Sequence, residues 1–336
     1  MNKYKAFFLL LIAAVALVAT SCGQSAIVTN YVAEELPICR DPADQLDPAI
    51  SGDIVVWTDE RNGNKDIYGY NLATDTEFAI CTDPADQLDP AISGDIVVWR
   101  DERNGNKDIY GYSLATDTEF TICTDPADQL YPAISGDIVV WRDDRNGISR
   151  GQTFSNRDIY GYNLVTDTEF PICTDPDEQW YPTISGEIVV WHDWRNGGED
   201  IYGYDLSTDT EFPISVYPSH QWSPAISGDI VAWRDYRNGN NDIYGYSLAT
   251  DTEFAICTHT AAEYSVSISG NTVTWEDWRN GGEDIYGYNL ASDEEFAICT
   301  NGAAQVNPAI SGDFVVWVDN RNGSEDIYGA QLSFSK

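Results

Sequence analysis

Eleven tryptophans and three histidines are the side chains here whose types and spacing bear most directly on chemistry. Seven tryptophans recur in one context, Ile-Val-Val-Trp or a close variant: Trp57, Trp99, Trp141, Trp191, Trp233, Trp275 and Trp317. The other four, Trp180, Trp194, Trp222 and Trp278, break that pattern, and Tyr181, Tyr236 and Tyr264 accompany them. At the matching positions of earlier copies stand Leu46, Asp47, Glu60, Leu88, Asp89 and Glu102. Clustered exposed rings on a soluble domain mark a binding patch, because solvation alone would remove them. The competing reading is packing between adjacent loops. His192, His220 and His259 fall in the same stretch but at three different repeat positions, which favours separate surface histidines over one ligand set. No Gly-x-Ser-x-Gly elbow, His-Glu-x-x-His pair or phosphate loop occurs, and no metal or cofactor is expected.

A second motif, Asp59-x-Arg61-Asn62-Gly63-x-x-Asp66, has the look of a calcium loop. It lacks the alternating Asp/Asn ligands and final Glu of such loops, and Arg61 sits where a ligand would be. A self-braced turn is the better reading, with Asp59 pairing Arg61 or capping nearby amides. One copy is interrupted: ten residues separate Gly147 from Asp158, where two separate Gly63 from Asp66. Arg150 and Arg157 make this longer loop basic, and it adjoins the aromatic cluster, so both join the candidate ligand-binding set. A tolerated loop insertion is the plainer alternative.

These residues must be positioned by a repeat. The anchor tryptophans are spaced 42, 42, 50, 42, 42 and 42 residues apart. A period of roughly 40–45 residues marks the four-stranded blade of a β-propeller, a unit that needs neighbours to bury both faces. Within Pro48 to Asp83, Ala49-Ile50-Ser51 reads as a first strand and Gly52-Asp53 as a turn. Ile54-Val55-Val56-Trp57 is a second strand, Asp66 to Leu72 a third and Glu77 to Cys81 a fourth, with Asn62-Gly63 and Ala73-Thr74-Asp75 as turns. Gly69, between Tyr68 and Tyr70, has a counterpart glycine in every blade; a strand glycine implies close approach of another group, expected here to be a neighbouring tryptophan ring. Strand alternation puts the second-to-third loop and the inter-blade loop on one face, the top, which therefore carries the surplus aromatics. The last copy stops after its third strand, and Glu35-Leu36-Pro37-Ile38-Cys39-Arg40-Asp41 matches the missing fourth. Residues 34–41 should pair with 326–332 and close a seven-bladed, all-β propeller of antiparallel blades.

The formal charge of −37 repels nucleic acid and anionic lipid and suits cations, basic partners or a salt-rich medium. Residues 1–21 read as a leader, with Lys3 and Lys5 ahead of an apolar run from Phe7 to Ala19 that is short for a membrane span. Ala19-Thr20-Ser21-Cys22 resembles a lipobox, which implies lipidation at Cys22, a tether over 22–33 and contact with the membrane through that anchor only. The other six cysteines, Cys39, Cys81, Cys123, Cys173, Cys257 and Cys299, hold one repeat position, so equivalent points on different blades should lie too far apart for disulfides. They read as small buried apolar residues.

The repeat Asp-x-Arg-Asn-Gly-x-x-Asp-Ile-Tyr after an apolar strand resembles the TolB-type propeller family over about residues 34–336. Ser-Gly-Asp stands here where many members carry Ser-Pro-Asp-Gly. The resemblance implies the propeller fold; family members include protein-binding propellers, scaffolds and a few enzymes such as oligogalacturonate lyases, which use a histidine-rich manganese site. The expectation taken forward is a monomeric, non-enzymatic module at the cell envelope, engaging a protein, peptide or glycan through Trp180, Tyr181, Trp194, Trp222, Tyr236, Tyr264, Trp278, Arg150 and Arg157. The alternatives are a carbohydrate-active enzyme such as a metal-dependent polysaccharide lyase, and a purely structural surface protein.

Overall fold

A computed structural model describes residues 34–147 and 156–334, so Cys22, the leader, the tether and Arg150 lie outside the described residues. The chain forms seven four-stranded antiparallel sheets, and no helix among the described residues is long and apolar enough to cross a membrane. In blade one the strands run Gln45–Ser51, Ile54–Asp59, Asp66–Asn71 and Thr76–Cys81. First strands of successive blades pack on one another and form the inner ring. Blade seven is completed by Glu34–Cys39, whose Glu34 pairs with Gln331 and Leu36 with Gly329. The closure read from the termini is present.

Why the blades stack is visible at the anchors. All seven anchor tryptophans have no exposed surface. Trp99 packs against Val56, Ile67 and Ile80 of the preceding blade, and the other anchors repeat that contact pattern. The indole N–H is satisfied within the same strand: Trp57 Nε1 donates to Asp59 Oδ2 at 2.8 Å. Asp59, also buried, accepts from the Arg61 backbone N–H at 2.9 Å and from Arg61 Nε at 2.8 Å. Arg61 lies over the Tyr68 ring at 4.1 Å. The conserved-looking motif is thus a braced turn that lets a carboxylate sit buried with every lone pair used. A second closed ring of contacts ties the blades together, Gly94 N–H donating to Ser51 Oγ at 3.0 Å and Gly52 N–H to Ser311 Oγ at 3.0 Å.

Three expectations are corrected. The first strand begins at Gln45 rather than Ala49, because an irregularity at residues 46–49 lets pairing resume above it: Leu46 faces Thr58 and Ala49 faces Val56. Asp47 there takes a left-handed conformation (φ 50°) ahead of Pro48, as a bulge requires. The group close to Gly69 is not a tryptophan; a Cβ at Gly69 would meet Phe78 Cζ at 2.7 Å, so the fourth-strand phenylalanine fills the glycine's notch. His192 is not a surface-loop residue but a buried one in the second strand of blade four. The six cysteines of the blades, Cys39 to Cys299, are free and buried, as the repeat geometry requires.

Candidate functional site

The extended first strand creates an inner top rim. Its second residue now faces the residue that follows the anchor tryptophan. Around the ring these partners are Leu46 and Thr58, Leu88 and Arg100, Leu130 and Arg142, Trp180 and His192, Trp222 and Arg234, Tyr264 and Glu276, and Val306 and Val318. Blades seven and one are aliphatic or small here, whereas blades three to six carry Arg142, His192, Arg234 and Glu276. The top loops meet beside this rim, with Glu102 N–H donating to Asp86 O at 2.9 Å and Gln87 N–H to Lys65 O at 2.7 Å.

Trp180, Tyr181, Trp222 and Tyr264 therefore lie on first strands and not in loops. Trp180 is flanked by two guanidiniums, Arg142 at 4.2 Å and Arg157 at 4.1 Å from its ring. It stacks with His192 at 6.4 Å and with Tyr181 at 6.0 Å, and Tyr181 meets Tyr131 at 4.3 Å. Arg157 is held in turn by Glu178 at 2.6 Å. Trp222 stacks on His220 at 5.2 Å and lies under Arg234 at 4.4 Å. Trp194, Tyr236 and Trp278 sit in the second-to-third loops, and Trp278 Nε1 donates to Glu276 at 2.9 Å. Trp194, Tyr236, Trp278 and Tyr181 are 37–42% exposed, and Tyr217, not singled out by sequence, is 49% exposed on the same side. On the inner rim Trp180, Trp222 and Tyr264 are half-buried, whereas Tyr181 and the rings of the outer loops face solvent.

Sequence reasoning missed the charged members of the rim. Arg100, Arg142, Arg234 and Glu276 each follow an anchor tryptophan, and their variation at one repeat position was the available signal. Burial, reinforced by Arg234, pushes His192 down to about 3, so its ring is neutral; its Nδ1 has no hydrogen-bond partner. Burial raises the Glu276 carboxyl above its usual range, against the opposing pull of Trp278 and Arg234. Burial lowers Arg234 as well.

The histidines do not form a metal site. His220 Nδ1 is 2.6 Å from Glu199, and His259 Nδ1 accepts the Ala261 N–H at 3.1 Å, the role Asp83 plays for Ala85. Among the described residues a single group could bring three ligand atoms together, Cys257, Glu263 and Asp277, and it contains no histidine. A divalent cation does not fit there either. Asp277 already accepts from Trp275 Nε1 at 2.9 Å and from Arg279 Nε at 2.8 Å, and Arg279 Nη2 lies 3.5 Å from Cys257 Sγ. The guanidinium holds the cation's place.

Glu263 has another explanation. It stands where the other blades carry glutamine, whose Nε2 donates to the carbonyl two residues earlier, as Gln87 does to Ala85 at 2.6 Å. Burial first, then Asp277, pushes the Glu263 carboxyl up to about 10, so it is protonated at neutral pH. A carboxyl with a raised folded-state pKa contributes its stability below the unfolded value and loses it as pH climbs toward the folded one. Stability should therefore decline as pH rises from 4.5 toward about 10. Glu263→Gln removes that slope, and its melting temperature should exceed that of the unsubstituted protein by a margin that widens with pH. Equal melting temperatures across this range would show that Glu263 is not held protonated.

No protein-family model and no curated protein matches this chain. Solved structures do. An oligogalacturonate lyase from Vibrio parahaemolyticus superposes with a TM-score of 0.69 at 13% identity, covering 92% of this chain and 98% of that one. An oligogalacturonate lyase in complex with manganese gives 0.67 at 10% identity over 88% and 90%. TolB from Acinetobacter baumannii gives 0.56 at 15% identity over 77% and 67%. The expectation of a non-enzymatic interaction module is corrected by the first two: the same fold, matched over nearly the whole length of each chain, belongs to an enzyme in those proteins. What the rim residues do here rests on the site and not on that likeness. The three superpositions agree with the repeat on one architecture, and the chain folds as a TolB-like seven-bladed β-propeller.

Proposed function

We propose that this protein is a carbohydrate-active enzyme of the cell envelope, taking a polysaccharide segment across the top of blades three to six. The observation that carries the reading is the placement of rings. Half-buried Trp180, Trp222 and Tyr264 line the inner rim beside His192 and Glu276, and exposed Trp194, Tyr236 and Trp278 extend outward over the same blades. Flat aromatic faces suit the apolar faces of sugar rings, and their spacing blade by blade suits an extended chain. The leader and the lipobox-like Cys22 support an envelope location.

The chemistry available is proton transfer. Burial raises the Glu276 carboxyl above its ordinary range, which favours its acting as the acid that gives a proton to a leaving glycosidic oxygen. Neutral His192 keeps an unpartnered ring nitrogen and, held down to about 3, serves as a hydrogen-bonding group and not as a base. Manganese, present in the similar lyase, finds no histidine ligand set among the described residues, so no step is assigned to a metal.

The test is incubation of the mature chain with neutral and acidic polysaccharides, following new reducing ends and the absorbance of unsaturated products. Cleavage should appear with at least one acidic chain, and Glu276→Gln should lower its rate by about 10²–10⁴-fold while leaving the melting temperature nearly unchanged. An unmodified panel, or full activity in both Glu276→Gln and His192→Gln, would remove the enzymatic reading.

A further inference from the structure

Asparagine followed by glycine occurs eight times in this chain. Seven copies are Asn62-Gly63 and its counterparts, one in each second-to-third turn. The eighth, Asn301-Gly302, stands apart in the loop from blade six to blade seven. Such a pair is chemically labile. Glycine has no Cβ to shield its amide nitrogen, so that nitrogen can attack the side-chain carboxamide of the asparagine before it. The fold decides whether the two groups are free to meet.

In the seven turns both groups are held. Asn62 Nδ2 donates to Asp66 Oδ2 at 2.6 Å, and its six counterparts make the same bond at 2.5–2.7 Å. The Gly63 N–H donates to Glu60 O at 3.0 Å, and the other six turn glycines donate to the equivalent carbonyl at 2.8–3.1 Å. The attacking nitrogen and the leaving amide are both engaged, so reaction there must await local opening.

Asn301-Gly302 has neither restraint. Both residues are exposed, and among the described residues neither the Asn301 side chain nor the Gly302 N–H has a hydrogen-bond partner. A Cβ placed on Gly302 would meet no atom within 4 Å, so nothing stands over the backbone at this point. Other blades carry a carboxylate at the same repeat position. Asp41, Asp83, Asp125 and Asp175 each accept the N–H two residues on at 3.0–3.1 Å, and His259 Nδ1 does so at 3.1 Å. Asn301 makes no such bond to Ala303.

We propose that Asn301 is a site of spontaneous deamidation, the one Asn-Gly pair of the eight that the folded chain leaves reactive, and that the aspartate formed there takes up the cap its counterparts make. The Gly302 nitrogen loses its proton and bonds to Asn301 Cγ, the Cγ–Nδ2 bond breaks, and ammonia leaves. Water then opens the cyclic imide. Attack at Cγ gives aspartate; attack at the main-chain carbonyl gives isoaspartate, which routes the backbone through the side chain. Either product adds one negative charge to the loop.

The experiment incubates the mature folded chain at mildly alkaline pH and follows each Asn-Gly pair by peptide mass spectrometry and by enzymatic methylation of isoaspartate. Asn301 should convert about tenfold or more faster than any turn asparagine, because only the turns must open first. In the denaturant-unfolded chain all eight should convert at similar rates. Gly302→Ala, which the open space around Gly302 accepts, should slow conversion at Asn301 by about tenfold by shielding the nitrogen. Asn301→Asp should melt at or above the temperature of the unsubstituted protein. Conversion of Asn301 no faster than the turn asparagines in the folded chain, or an unchanged rate in Gly302→Ala, would overturn the proposal. So would a ranking that persists after unfolding, since the difference would then belong to the sequence and not to the fold. A lower melting temperature in Asn301→Asp would overturn the cap.

Discussion

Trp233→Ala should destabilise the protein by about 3–5 kcal/mol, whereas Trp194→Ala should change stability by less than about 1 kcal/mol. Both are tryptophans of adjacent blades, so the contrast isolates position. Trp233 has no exposed surface and fills the space between its blade and Val190, Ile201 and Ile214 of the preceding one. Truncation leaves a cavity in the inter-blade core. It also removes the indole N–H that Asp235 accepts at 3.0 Å, leaving a buried carboxylate one donor short. Trp194 is 37% exposed in a top loop. Its loss should leave the melting curve in place and weaken saccharide binding by about 1–3 kcal/mol. Thermal melting and ligand titration of both variants decide it. Equal destabilisation by the two substitutions would make Trp194 part of the core, and unchanged saccharide binding in Trp194→Ala would take it out of the site.

Removing residues 34–40, so that the chain starts at Asp41, should cost roughly 5 kcal/mol or more and expose a sheet edge. The segment supplies the fourth strand of blade seven, pairing with residues 327–331. Ile38 and Cys39 are buried, and Leu36 packs against the same cluster as Trp57 and Val316. Glu35 adds an ion pair with Arg321 at 2.7 Å. Because this strand joins the two ends of the chain, its absence opens the ring and does not merely shorten it. The shortened chain should melt roughly 10 °C lower or more and aggregate through the 326–331 edge. A truncated protein that melts like the full chain and stays monomeric by light scattering would show that blade seven is stable without it.

Much of this molecule is written locally. The 42-residue spacing, the Ile-Val-Val-Trp strand, the Asn-Gly turn and the split last repeat together specify seven blades and their closure, because each depends on neighbours in sequence or on an identical copy. The braced turn of Asp59 and Arg61 is legible for the same reason, its partners being two residues apart. So is the inertness of the six cysteines, which follows from equivalent places on different blades. The concentration of surplus aromatics on blades four to six is also visible in sequence.

Only the tertiary structure decided what those aromatics surround. The left-handed residue at the third position of each inner strand, Tyr181 in blade four and Ser265 in blade six, carries strand pairing past the bulge. That sets Trp180 opposite His192, Trp222 opposite Arg234 and Tyr264 opposite Glu276. No periodicity reports a bulge, since the side-chain alternation it shifts is re-established on either side. Which arginines are neutralised was equally hidden. Asp89, Asp144 and Glu178 answer Arg100, Arg142 and Arg157. These answers appear only when first strand, second strand and top loop are folded onto one rim. Burial, which keeps His192 neutral and raises the Glu276 and Glu263 carboxyls, is a property of the assembled ring. Composition and spacing could place those side chains on a blade, but the desolvation that sets their chemistry comes from the blades on either side.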